Sequence, residues 1–130
     1  MKVYKTNIFS KKNIKNMGLS DSTLMKIALD VMSGVYEANL GGGVIKKRLA
    51  LPGRGKRSGA RTIIFFKAGQ NLFFADGWTK AGLCAKGTSE IRDDELESYK
   101  DLAKDLLSLT KADIEKLLKL TLLVEVKNDQ

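Results

Sequence analysis

Two apolar runs joined by a short polar turn decide the fold. They are Arg61-Thr62-Ile63-Ile64-Phe65-Phe66-Lys67 and Leu72-Phe73-Phe74-Ala75, with Gly69-Gln70-Asn71 between them. Isoleucine and phenylalanine favour β-strands, and a short glycine-containing turn is typical of a hairpin. The sequence therefore predicts two neighbouring strands in the middle of an antiparallel sheet, the second ending near Trp78.

The chain before these strands predicts further elements. Residues 2–6 alternate like a short strand, and apolar residues at helical spacing predict a helix over 21–37, with Ser20 or Asp21 as its cap. Gly41, Gly42 and Gly43 should end that helix and turn the chain into a strand over 44–51. One proline and three glycines then predict a loop over 52–59.

The chain after these strands predicts helices. Residues 79–92 lack a regular pattern, Asp93 and Asp94 suit a helix start, and Thr110 with Asp113 resembles a capping box for a helix over 111–120. Residues 121–126 have strand character. The order is β-α-β-β-β-α-α with a possible final strand, which predicts a single α+β domain over 1–130: a small antiparallel sheet with helices packed on one face.

Composition excludes several classes of site. The chain has no histidine, and Cys84 is its only cysteine, so a zinc site, a Ser-His-Asp triad and a Cys-His pair cannot be built. We expect no metal and no cofactor. No apolar stretch approaches the roughly 20 residues of a membrane helix, and no signal peptide is evident. A cytoplasmic protein is the simplest interpretation.

Positive charge is concentrated in the first two thirds of the chain. The net charge is +8, and eight basic residues but no acidic ones lie between Glu37 and Asp76. Such a block attracts polyanions and gives salt-dependent binding. Nucleic acid, or a particle rich in it, is the expected partner, although a solvated basic surface has the same composition.

Basic residues and one tryptophan should converge on one exposed face of the sheet. Lys46 and Arg48 point to the same side of their strand because strand side chains alternate. The converging set is Lys46, Arg48, Arg54, Lys56, Arg57, Arg61, Trp78 and Lys80. A cationic face with one large ring can bind phosphates and stack on a base.

These residue types could in principle cleave RNA, whose own 2′-hydroxyl is the nucleophile. Arginine suits the phosphate, and a lysine among other cations has a lowered pKa and could act as a general base. A binding surface without catalysis requires the same residues, so residue types alone leave both interpretations open.

Two motifs resemble the RelE/ParE toxin superfamily, in its HigB-like RelE branch. The first is a loop rich in glycine and basic residues between two strands, and the second is an apolar strand that ends in Gly-aromatic-x-Lys. They are Leu51-Pro52-Gly53-Arg54-Gly55-Lys56-Arg57-Ser58-Gly59-Ala60-Arg61-Thr62-Ile63 and Phe73-Phe74-Ala75-Asp76-Gly77-Trp78-Thr79-Lys80. The resemblance covers roughly residues 20–107, so residues 110–130 would be an additional C-terminal helix and strand.

The resemblance implies a toxin that enters the ribosome and cuts mRNA without a metal. It also implies a cognate antitoxin, in this branch usually a helix-turn-helix protein. Arg61 would hold the scissile phosphate, Lys56 or Lys80 would be the base or the acid, and Trp78 would stack or support. The remaining substrate-binding residues would be Lys46, Arg48, Arg54 and Arg57.

The sequence departs from these relatives after Lys80. Residues 81–89 are longer and contain glycine, and the tyrosine or histidine that some relatives place near the end of the fold has no evident counterpart. A gyrase poison of the ParE kind and a non-catalytic nucleic-acid- or ribosome-binding domain are the alternatives, because similarity of fold does not determine function.

Overall fold

Six strands form one sheet in a computed structural model that describes residues 2–51, 59–79 and 91–127. The strand order across the sheet is β2-β3-β4-β5-β1-β6. The elements in chain order are β1 (Val3–Thr6), α1 (Asn7–Lys12), a π-helical turn (Asn13–Met17), α2 (Asp21–Met32), β2 (Ala38–Gly41), β3 (Val44–Leu49), β4 (Ala60–Phe65), β5 (Leu72–Thr79), α3 (Asp93–Leu107), α4 (Lys111–Lys119) and β6 (Leu123–Glu125). The predicted α+β class is confirmed.

The sheet is mixed, which corrects the expectation of a wholly antiparallel one. Strands β2 to β5 pair in antiparallel order, but β1 lies parallel to β5, and β6 pairs antiparallel with β1. A short strand at the start of a chain has no turn to specify its partner, so its direction is determined by the helices that return the chain to the sheet.

Helices cover both faces of the sheet, which corrects the expectation of one covered face. Alternating residues of β5 lie in two different hydrophobic cores, one on each face of the sheet. Leu72 and Phe74 pack with α1 and α2, whereas Phe73 and Ala75 pack with α3 and α4. All six residues of β4 are buried. Strands buried on both faces have continuous apolar runs rather than alternation, and this is the pattern of β4 and β5.

The glycines after α2 make a hairpin that the sequence did not predict. Helix α2 begins after Ser20, whose hydroxyl accepts a hydrogen bond from Thr23 N–H, and it ends at Met32 instead of residue 37. Gly34 follows with a φ of 87°. The chain then forms β2, turns at Gly42 and Gly43 and returns as β3. Positive φ at these glycines permits the tight turn.

The C-terminal elements agree with prediction. Helix α3 begins at Asp93, and the Thr110 and Asp113 side chains form the predicted capping box of α4. Strand β6 pairs with β1 at the edge of the sheet. Most of the predicted loop over 52–59 and most of the predicted loop over 79–92 lie outside the described residues.

Candidate functional site: a cationic row on the sheet

Three predicted site residues lie in one row across three strands. Arg48 of β3 pairs with Arg61 of β4, and Arg61 pairs with Trp78 of β5. Arg61 lies on the same face as Ile63 and Phe65, which pack with α3 and α4. We call Arg48, Arg61 and Trp78 the cationic row.

The neighbouring lysines of β3 lie on opposite faces. Lys46 lies on the face of the cationic row, opposite Ile63. Lys47 is buried on the other face, where its Nζ lies 3.9 Å from Asp30 Oδ2 of α2. Lys46 can therefore extend the cationic row, whereas Lys47 belongs to the packing of α2 on the sheet.

Arg61 is buried, which corrects the expectation that the converging residues form an exposed face. Only 3% of the residue is exposed, and Arg48 opposite it is an exposed residue. Burial lowers the pKa of the Arg61 guanidinium, nearby Arg48 lowers it further, and Glu37 partly opposes both. Arginine still remains protonated in proteins. A charged group removed from water in this way interacts strongly with an anion that reaches it.

Glu37 is a member of the site that sequence analysis missed. Its Oε1 accepts a hydrogen bond of 2.7 Å from Arg48 N–H, and its own N–H donates to the Lys46 carbonyl at 3.1 Å. The predicted helix over 21–37 included Glu37, so its position beside β3 was not expected. Its position as the last acid before eight basic residues was the available signal.

Asp76 links the cationic row to helices on both sides of the sheet. Its Oδ1 accepts from Lys12 Nζ at 2.6 Å and from Gly77 N–H at 2.8 Å, and its Oδ2 accepts from the Tyr99 hydroxyl at 2.7 Å. Asp76 lies opposite Ile63, two residues before Trp78. It therefore holds α1 and α3 against the strand that carries Trp78.

Tyr99 packs against the α3 and α4 core and also has a polar role. Burial raises the pKa of its hydroxyl, and the hydrogen bond to Asp76 raises it further. The hydroxyl therefore stays protonated and remains a donor to the carboxylate. Sequence analysis could not connect these residues, because they are 23 positions apart.

Trp78 is a partly buried residue whose indole nitrogen is fully buried. It packs against the α3 and α4 core, and its Nε1–H has no hydrogen-bond partner among residues 2–51, 59–79 and 91–127. Part of the residue remains accessible beside Arg61. An aromatic residue beside a guanidinium is a combination on which a base can stack.

The other predicted site residues, Arg54, Lys56, Arg57 and Lys80, lie outside the described residues. The strands that lead to them end at the cationic row. Leu49 and Ala60 pair directly after Arg48 and Arg61, and β5 ends at Thr79, one residue after Trp78. The connection from β3 to β4 thus leaves the sheet beside the row.

The described residues contain neither a metal-binding cluster nor a membrane-spanning helix. No group of three or more His, Cys, Asp or Glu side chains there is placed to hold a metal ion. No helix in the same ranges is long and apolar enough to cross a membrane.

The fold and the row define a small basic α+β protein with arginines gathered on one face of a mixed sheet. Comparison with protein families gives the particular family. Residues 1–126 match the family described as the RelE toxin of the RelE/RelB toxin-antitoxin system. The chain therefore belongs to the RelE toxin family, which implies a cognate antitoxin. The match extends at both ends beyond the stretch that carried the resemblance, and a comparison with curated proteins gave no match.

Proposed function

We propose that this toxin is a metal-independent endoribonuclease that cuts mRNA on the ribosome, as in the HigB-like branch of the family. The observation that carries the proposal is the cationic row, in which a buried guanidinium lies between a second arginine and a tryptophan. Because the proposed target is mRNA on the ribosome, we propose that the toxin acts in the cytoplasm.

The chemistry follows from the nature of RNA. The 2′-hydroxyl attacks the neighbouring phosphorus, a base takes its proton, the bond to the 5′-oxygen breaks, and an acid protonates that oxygen. Arg61 holds the phosphate and stabilises the charge that builds on it, because a preorganised cation away from water acts strongly there. Lys56 and Lys80 supply the base and the acid.

The remaining basic residues position the RNA. Trp78 stacks on a base beside the cut. Phosphate contacts determine register without reading sequence, and we assign these contacts to Lys46, Arg48, Arg54 and Arg57.

The cognate antitoxin is proposed to be a helix-turn-helix protein with an acidic segment. The free toxin has a net charge of +8 and would bind RNA without selection. An acidic segment across the cationic row would compete with RNA for the same cations. Binding of the antitoxin would then block the proposed active site directly.

The decisive experiment compares wild type, Arg61→Ala and Arg61→Lys after tightly controlled expression in bacteria. Lys26→Ala is the matched control, because it removes an exposed cation from α2 on the other side of the sheet. We expect wild type and control to arrest growth and create new mRNA 5′ ends at codon positions. Cleavage of mRNA on purified ribosomes should fall about 10²–10³-fold in Arg61→Ala, as for other lost charge-stabilising donors.

Arg61→Lys separates the geometry of the cation from its charge. Lysine keeps the charge but loses the planar pair of donors, and burial lowers a lysine pKa readily. We expect partial activity and a native circular dichroism spectrum. Growth arrest with DNA damage signalling and no new RNA ends would instead indicate a gyrase poison. Absence of both would indicate a binding domain.

A further inference from the structure

A second group of cations lies at the other end of the sheet, between α3 and the β2–β3 hairpin. An open pocket of about 420 Å³ is formed there by the hairpin, the β4–β5 connection and one side of α3. Its charged and polar lining residues are Lys67, Gln70, Lys100, Asp101, Lys104 and Ser108. We call this the lysine pocket.

The glycines of the hairpin bring two of the lysines close to the backbone. A Cβ on Gly42 would lie 3.2 Å from Lys100 Cγ, and one on Gly43 would lie 3.4 Å from Lys67 Cε. Both glycines have positive φ. The absence of side chains therefore lets both lysine stems pack against the turn.

The three lysines of the pocket have no acidic partner among the described residues, unlike the lysines that join one element to another. Lys5, Lys12 and Lys47 each form an ion pair with an aspartate. Within the described ranges, no carboxylate lies within 4.0 Å of the ammonium groups of Lys67, Lys100 or Lys104, although Asp101 also lines the pocket. Lys100 and Lys104 lie four residues apart on α3, where like charges repel one another, and a bound anion would relieve that repulsion.

We propose that the lysine pocket binds the phosphodiester backbone of RNA at a point remote from the cut. The inference rests on the proposed function, which makes RNA the target. Val44, where β3 leaves the hairpin, and Arg48 are four residues apart, which is about 13 Å along a strand. One phosphate cannot reach both sites, so the pocket binds a different part of the RNA from that held by Arg61. Lysine suits this task because it binds phosphate as a point charge without reading sequence.

The test uses the triple variant Lys67→Gln, Lys100→Gln and Lys104→Gln in the full chain. The matched control is Lys111→Gln, Lys116→Gln and Lys119→Gln, which removes the same charge from exposed positions of α4. The probe is a fluorescent 2′-O-methyl RNA of 20 uridines, which has the phosphates but lacks the nucleophile. Its affinity is measured by anisotropy from 50 to 200 mM KCl.

The expected difference lies in the salt dependence of binding. Each phosphate contact on a single strand adds about 0.7 to the slope of log K against log salt. Losing three contacts should make the slope shallower by about 2. The affinity advantage of wild type over the variant should then shrink roughly 20-fold across this salt range. The control should keep a slope close to that of wild type.

Two results would overturn the inference. One is a slope that is equal in wild type and variant, or lowered equally in variant and control, because net charge alone would then explain binding. The other is unchanged RNA binding with weakened binding of a polyglutamate peptide, which would make the pocket a protein contact. The ribosome cleavage assay on wild type judges the proposed function separately, so either idea can fail alone.

Discussion

Two rows on one face of the sheet differ in the polarity of their side chains, although the same three strands supply both. Val44, Phe65 and Phe73 pair across β3, β4 and β5 and are almost entirely buried. Four residues along β3, the cationic row contains Arg48, Arg61 and Trp78 in equivalent positions. The apolar row lies within the core formed with α3 and α4, whereas the cationic row lies near the ends of the strands, where Trp78 is only partly buried against that core.

Along a single strand, some positions therefore stabilise the fold, whereas others carry the residues of the candidate site. Burying an apolar side chain stabilises the fold by about 1.5–3 kcal/mol. Two like charges directly opposite on neighbouring strands destabilise it. Arg48 and Arg61 are such a pair, and the lowered pKa of Arg61 reflects both its burial and its neighbour. The cationic row thus lowers the stability of the fold, and burial of the apolar row compensates for that loss.

The largest expected effect comes from the apolar row. Phe65→Ala should lower the free energy of unfolding by about 3–5 kcal/mol, because it leaves a cavity at a fully buried position. Chemical denaturation measures the change. Phe66→Ala is the matched control, since Phe66 is only partly buried, and its loss should be clearly smaller. Equal losses in the two variants would contradict the contrast between the rows.

The sequence was sufficient to predict strands β4 and β5, but not to predict what packs around them. The runs at residues 61–67 and 72–75 predicted β4 and β5 because their residue types favour strands. The same continuous apolar character, seen in Ile63-Ile64-Phe65, also indicates burial on both faces. Strand β2 was missed because Val35 extended the helical pattern past Gly34.

The cationic row was partly predictable from side-chain alternation. The alternation of side chains along a strand predicts that Lys46 and Arg48 lie on one face. The predicted hairpin of β4 and β5 brings Trp78 near Arg61. The burial of Arg61 was not predictable, since it depends on how helices pack over the sheet. The Asp76 contacts with Lys12 and Tyr99 join residues 64 and 23 positions apart, and no local pattern specifies such pairs.

An intermediate effect is expected at the contact that joins α3 to the cationic row. Tyr99→Phe should lower the free energy of unfolding by about 1 kcal/mol at pH 7, because it removes one hydrogen bond to Asp76. Tyr36→Phe is the control, as no hydrogen bond of its hydroxyl to a described residue is found. Equal losses in both variants would mean that the Asp76 contact adds nothing.

The pH dependence of the same variant tests the raised pKa of Tyr99. An unfolded tyrosine loses its proton near pH 10, whereas folded Tyr99 keeps it. The wild type should therefore lose stability as pH rises above about 10. Tyr99→Phe should lose less, so the gap between the two proteins should narrow in that range. A gap that stays constant from pH 7 to 11 would show that the Tyr99 pKa is not raised.

The smallest expected effect has the opposite sign and tests the cost of the cationic row directly. Arg48→Gln should raise the free energy of unfolding by about 0.2–1 kcal/mol, because it removes a like charge opposite Arg61. The bond from its backbone N–H to Glu37 is retained. Lys46→Gln is the control, since Lys46 lies opposite Ile63 and should give no gain.

The gain in stability of Arg48→Gln should shrink in high salt, where surface charges are screened. The slope of log K against log salt for RNA binding should fall by about 0.7 for the loss of one phosphate contact. If Arg48→Gln instead destabilises the protein, the arginine pair contributes to folding, and the separation of stability from function along β3 and β4 does not hold.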